Sequence, residues 1–131
     1  MLIGEVAKQS GLTRDSIRYY EKAGLLPAPY RRDNRYKEYP DDTVQRLTSI
    51  KTLQSLGFAL GSIRELLELA DAGATTCGDV GPTVQRKVRE LDGQIAALTR
   101  MRSKLDSLFL CCKGARPDAG CAPVESLFRS P

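Results

Sequence analysis

From residue 84 onward the apolar residues Val84, Val88, Leu91, Ile95, Leu98, Leu105, Phe109 and Cys112 recur alternately four and three positions apart, with Arg102 as the charged interruption. A repeat averaging 3.5 residues keeps one stripe of a helix turned toward a partner, so the spacing predicts a single long helix over residues 79–112. Such a helix cannot cover its own apolar seam. The expected solution is a two-stranded coiled coil between identical chains. Pro82 stands early in the stretch, where the amide it lacks would have been unpaired in the first turn.

The remainder of a 131-residue chain has room for one small domain. Hydrophobic residues at 41% and charged residues at 27% can bury a modest core. No run approaches 18 apolar residues, which predicts no membrane association. Residues 1–6 lack the charged head and apolar body of a signal peptide, which predicts a cytoplasmic address.

The opening residues read as two short helices. Ile3, Val6 and Ala7 share a helical face that ends at Ser10-Gly11-Leu12. Thr13 is a suitable N-cap for a second helix carrying Ile17, Tyr20 and Glu21 as far as Ala23-Gly24. Two helices across a tight Gly-containing turn predict a helix-turn-helix. Pro27 and Pro29 then halt helix formation, and Asp33-Asn34 supplies a turn before Tyr36 and Tyr39, which predicts a small hairpin wing. After Pro40, Asp41 and Asp42 are expected in the first turn of a third helix, with Val44, Leu47, Ile50, Leu53 and Leu56 facing inward to Gly57. A fourth helix, from residue 60 or 61, would bury Ile63, Leu66, Leu67 and Ala70 before Gly73.

The net charge of +4 is unevenly spread. Residues 1–40 hold eight basic and five acidic groups, residues 41–76 three and five, and residues 77–131 nine and six. The helix-turn-helix and wing concentrate Arg14, Arg18, Tyr19, Tyr20, Lys22, Arg31, Arg32, Arg35, Tyr36 and Lys37. That geometry inserts the second helix into a major groove while cations and phenols hold phosphates, so double-stranded DNA is the expected partner. A solvated basic face, with Tyr20 serving as core, is the plainer alternative.

The chain has no histidine, which removes the commonest general base and excludes Ser-His and Cys-His catalysis. No enzymatic activity is expected. Its four cysteines, Cys77, Cys111, Cys112 and Cys121, all fall in the last 55 residues. Reduced thiols in such a chain point to metal or redox chemistry more than to a disulfide framework. Cys112 and Cys121 bracket a loop containing Gly114, Pro117 and Gly120, which allows the two sulfurs to meet. Cys77 stands 35 residues before Cys112, about 50 Å away along a helix. If two copies pair antiparallel, Cys77 of one chain lies beside Cys112 of the other. Three thiolates suit Hg(II), Cd(II) or Pb(II), and Zn(II) if a fourth ligand is found. Cys111 could be that ligand, but neighbouring residues on a helix point about 100° apart, which favours a spare or packed thiol. Any of these cysteines could instead be a small core residue. A redox role for the adjacent pair is disfavoured, because adjacent thiols close a strained disulfide.

The blocks Gly4-Glu5-Val6-Ala7, Gly11-Leu12-Thr13, Ile17-Arg18-Tyr19-Tyr20-Glu21-Lys22-Ala23-Gly24-Leu25-Leu26-Pro27 and Arg35-Tyr36-Lys37-Glu38-Tyr39, continuing through Leu56-Gly57-Phe58 and Ile63, resemble the MerR family of transcription regulators. Two departures are Arg35, where many members carry Gly, and Lys37, where Arg is usual and bidentate geometry is lost. The resemblance implies a mainly all-α fold with three parts. A winged helix-turn-helix would occupy residues 1–73, an antiparallel coiled-coil dimerisation helix residues 74–112, and a metal-binding loop with a short C-terminal helix residues 113–131. It implies DNA-facing positions at Thr13, Arg14, Arg18, Tyr19, Tyr20, Arg31, Arg35 and Tyr36, and metal ligands at Cys77, Cys112 and Cys121, with Cys111 in reserve.

A Cys at position 77 is similar to members sensing divalent mercury or lead, whereas those sensing monovalent copper, silver or gold carry a non-ligand there. Zinc-sensing relatives often add a loop histidine that this chain lacks. The implied function is a homodimeric repressor that, on binding a soft divalent ion, distorts its promoter and so presents it to RNA polymerase. A thiol-based metal carrier or detoxification protein is the alternative.

Overall fold

The computed structural model describes residues 1–31 and 36–129, so the expected turn at Asp33-Asn34 lies outside the described residues. The elements are α1 (Ile3–Ser10), α2 (Arg14–Lys22), β1 (Tyr30–Arg31), β2 (Lys37–Glu38), α3 (Thr43–Ser55), α4 (Leu60–Asp71), α5 (Cys77–Cys112) and α6 (Ala122–Phe128). This is the mainly helical, winged helix-turn-helix arrangement expected. The two strands pair antiparallel, Tyr30 with Glu38 and Arg31 with Lys37, forming the wing. No helix among the described residues is long and apolar enough to cross a membrane. The chain divides into two compact units, Met1–Lys87 and Val88–Pro131, with α5 running from the first into the second.

In the first unit the core consists of Val6, Ile17, Tyr20, Leu25, Leu26, Tyr39, Leu47, Ile50, Ile63 and Leu67. Each fully buried aliphatic side chain there contributes roughly 1.5–3 kcal/mol of transfer free energy. The inward faces of α1 and α2 follow the predicted period, with Val6 and Ile17 fully buried. Two residues of the predicted stripes depart from it. Leu56 is 57% exposed, because it caps the end of α3 and the chain turns away at Gly57; Ala70, in the last turn of α4, is also exposed. Asp41 and Asp42 precede α3 instead of filling its first turn, and Asp42 makes no side-chain cap bond.

The long helix begins at Cys77, two residues before the expected start, because Thr76 and Asp79 close a capping box. The Asp79 amide donates to Thr76 Oγ1 at 3.2 Å and the Thr76 amide donates to Asp79 Oδ2 at 3.3 Å. Pro82 consequently falls in the second turn, not the first. The bond lost there is the one its amide would have given the Gly78 carbonyl, and the helix continues across the gap.

The second unit holds the rest of α5, a loop and α6. None of its described residues is buried. Ile95, Leu98, Leu105 and Phe109 are each more than 60% exposed, so the seam predicted from the heptads stands open on the single chain.

Candidate functional site

Two clusters carry the chemistry expected from the sequence. The first is built on α2. Thr13 caps that helix, its Oγ1 accepting from the Ser16 amide at 3.1 Å and donating to Ser16 Oγ at 2.9 Å. With Ile17 and Tyr20 turned into the core, the helical period leaves Arg14, Arg18 and Tyr19 exposed on the opposite face. Arg18 reaches Asp15 at 3.3 Å, but both side chains are largely in solvent, so the pair contributes little and the guanidinium stays available to another anion. Tyr20 is placed differently. Its ring is in the core, edge-on to Tyr19 at 5.7 Å, and its hydroxyl donates to Gln54 Oε1 at 2.7 Å. Its position supports holding α2 in place more directly than touching a ligand.

On the wing Tyr36 is exposed and the backbone of Arg31 pairs with Lys37; Arg35 lies outside the described residues. Leu2, Ile3, Arg18, Tyr36, Lys37 and Tyr39 line a recess of about 200 Å³ between α2 and the wing, with cations and phenols at its edge. Its geometry depends on Glu21, to which the sequence reading assigned no role. Glu21 Oε1 accepts from Lys37 Nζ at 3.0 Å, and Oε2 accepts from the Tyr39 hydroxyl at 2.8 Å, joining the last turn of α2 to the wing. The Tyr39 amide donates to the Met1 carbonyl at 2.7 Å, which fixes the other side of the same strand.

Burial, together with the bond to Glu21, pushes the Tyr39 hydroxyl up to about 12 from its ordinary 10.0. A raised value means that the protonated hydroxyl stabilises the fold. That contribution is complete below pH 10.0 and is lost as the pH rises toward about 12. Tyr39→Phe is therefore expected to cost about 1 kcal/mol at neutral pH. It should also flatten the fall in stability over that alkaline window, as followed by urea unfolding; an unchanged alkaline slope would contradict the assignment.

The far end of α2 is also held. Gly24, at φ 79°, lets the Leu25 amide reach back to the Tyr20 carbonyl at 3.0 Å, so the helix stops in a Schellman turn. Carbonyls at and just beyond this end receive arginines from two other helices. Arg64 of α4 donates to the Ala23 carbonyl. Arg46 of α3 donates through Nε to the Leu25 carbonyl at 2.8 Å. Its two remaining nitrogens fork onto Asp71, the last residue of α4, at 2.7 and 3.0 Å. Hydrogen bonding from Arg46 holds the Asp71 carboxyl below the usual carboxylate range.

The second cluster is the set of thiols, all of them free. Cys112 closes α5, and Cys121 stands immediately before α6, where its carbonyl accepts from the Glu125 amide at 2.8 Å. Between them, Ala115 bonds the Cys112 carbonyl at 3.1 Å, and Arg116 forks onto Asp118 at 3.2 and 3.0 Å. The loop folds back, so that Cys121 is near enough to influence Cys112. A hydrogen bond with Cys121 raises the Cys112 thiol above its ordinary value, with the charge of Cys121 as a further cause. Cys111, Cys112, Arg116, Pro117 and Gly120 line a recess of about 120 Å³ beside them.

The structure thus places Cys112 and Cys121 at the two ends of one folded-back loop. Cys111 is exposed and points back along its helix, its thiol donating to the Ser107 carbonyl at 3.7 Å. Cys77 is exposed at the start of α5 and belongs to the first unit. Among the described residues of one chain, no three ligating side chains gather. Free thiols at the two ends of a folded-back loop, on a chain without an imidazole, fit the donor chemistry of a soft ion.

Comparison with known proteins identifies the family. Residues 1–70 match the family described as MerR HTH family regulatory protein, and residues 44–108 match one described as MerR, DNA binding. The chain is 35% identical to the mercuric resistance operon regulatory protein of Bacillus cereus over 127 residues, covering 97% of this chain and 96% of that one. It is 37% identical to the HTH-type transcriptional regulator ZntR of Escherichia coli (strain K12), covering 95% of this chain and 90% of that one. Among solved structures it is similar to the transcription regulator PbrR691 of Ralstonia metallidurans CH34 in complex with lead(II), at a TM-score of 0.83 and 31% identity over 97% of this chain and 98% of that one.

Proposed function

This chain belongs to the MerR family of helix-turn-helix regulatory proteins, and on that premise we propose that it is a metal-responsive transcriptional regulator whose inducer is a soft divalent heavy-metal ion. The observation that carries the reading is a pair of free thiols, Cys112 and Cys121, at the two ends of a loop that folds back, on a chain without histidine. Mercury and lead appear in the names of similar proteins, which supports Hg(II) or Pb(II); Cd(II) and Zn(II) share the same ligand chemistry. The thiol-carrier reading finds no support among these relatives, which are named as regulators.

In this reading α2 enters the major groove of promoter DNA with Thr13, Arg14, Arg18 and Tyr19 on its outward face, while Arg31, Arg35 and Tyr36 of the wing meet the backbone. Tyr20 contributes by fixing the helix. Two copies pair through the open seams of α5 in antiparallel sense, so that Cys77 of the partner subunit approaches Cys112 and Cys121. A soft ion supplies strong bonds to thiolate sulfur when bound. The three cysteines hold it across the dimer, and the two copies of α5 are thereby tied in one relative pose. The DNA-binding units follow, and the promoter between them is bent and untwisted into a form that RNA polymerase uses; deformability at bases the protein never touches then contributes to specificity.

Mixed dimers test the cross-subunit site. Neither Cys77→Ser nor Cys121→Ser homodimers are expected to bind the inducer tightly. A heterodimer of the two variants regains one complete site and should bind one ion, measured by thiolate-to-metal charge transfer. Absence of any recovered binding would show that the three thiols do not act across the pair.

A further inference from the structure

We propose that Arg46 and Asp71 form a latch between the end of α2 and the end of α4, and that Arg46 is a positioning residue through which the inducer-bound pose reaches the DNA-reading helix. The inference rests on the regulator reading above. Asp71 is the last residue of α4, and six residues later the chain enters α5. Leu25, whose carbonyl Arg46 holds at 2.8 Å, follows the Schellman turn of α2 and has a fully buried side chain. One guanidinium therefore ties the first residues after the DNA-reading helix to the last residue before the turn into the dimer helix. Arg64 gives α4 a second hold on the same end of α2, through the Ala23 carbonyl. Movement of the α4 end relative to α3 must break this fork or carry the end of α2 with it.

The chemistry favours orientation over bulk stability. Asp71 is 57% exposed, and an ion pair with one partner in solvent adds little to folding. A bidentate guanidinium–carboxylate pair nevertheless fixes both distance and plane, which a lysine at the same place could not do. Arg46 itself is largely buried, at 17% exposure, and all three of its nitrogens donate.

The test uses the full-length protein and a palindromic DNA that the wild type selects from a random pool. Asp71→Asn, Arg46→Lys and Asp71→Glu would be compared with wild type in three measurements: metal-free DNA affinity, metal stoichiometry, and promoter distortion with transcription under titration by Hg(II), Pb(II), Cd(II) and Zn(II) in turn. Asp71→Asn and Arg46→Lys are expected to leave the first two within about twofold and to lower the metal-dependent activation about five- to tenfold, the scale of an ordinary coupling between sites. Asp71→Glu, which keeps the carboxylate, should retain most of the activation. Undiminished activation in both disruptive variants would overturn the latch. So would a fall in metal-free DNA affinity that matches the fall in activation, since that marks a purely structural pair. A wild-type protein that answers none of the four ions would instead bring down the regulator reading itself, and the latch with it.

Discussion

Replacing Cys112 by Ser is expected to abolish the metal response while leaving metal-free DNA binding nearly intact. The thiol is exposed at the end of α5, so a hydroxyl in its place removes little packing and the fold should tolerate it. What it removes is chemical. A neutral hydroxyl is a poor ligand for a soft ion, and losing a direct ligand should exceed the roughly 10–100-fold cost of losing a supporting group around a metal site. Titration followed by thiolate-to-metal charge transfer would read the first effect, and a mobility-shift assay on the operator the second. Loss of DNA binding together with the metal response would show that this sulfur supports the fold instead.

The second large effect should come from the middle of the seam. Ile95 lies close to the midpoint between Cys77 and Cys112, so in an antiparallel pair with those cysteines aligned it meets its own copy. It is 61% exposed on the single chain. Ile95→Glu removes two buried aliphatic side chains from the pair, each contributing roughly 1.5–3 kcal/mol, and sets two like charges together. The dimer should weaken by about 10² to 10⁴-fold, measured by sedimentation across a concentration series. Inducer binding should fall with it although every cysteine is intact, because the proposed site draws on both chains. An unchanged dimer would place the interface elsewhere.

What the sequence disclosed and what it hid divide by range. The Thr13 cap, the inward pair Ile17 and Tyr20 and the heptad seam are local patterns, each written within a few residues, and all are in the structure. The ties that position α2 are not local. Glu21 meets Tyr39 across 18 residues, and Arg46 meets Asp71 across 25. Periodicity carries no signal for such pairs, since a charged residue on an outward face looks the same whether it meets water or a distant partner. The capping box that starts α5 at Cys77 used Asp79 where Glu or Gln is the familiar sign, and Pro82 drew attention to the wrong turn. Of the thiols, the placement of Cys112 and Cys121 at the ends of one folded-back loop was legible because a short Gly- and Pro-containing segment joins them. Cys77 stands 35 residues from Cys112 and joins no ligand cluster among the described residues of one chain, so its part in the site rests on the proposed pairing of two chains.

The second unit, none of whose described residues is buried, has a consequence for how the protein behaves in quantity. A segment lacking an interior would gain one in the proposed dimer, so its stability would then rise with the amount of protein made. In the proposed dimer the seams would remain wet and open to proteases at low abundance, and no responsive assembly would accumulate. Above the association threshold the same stripe would become protected, which would make the supply of subunits itself a setting on the proposed response.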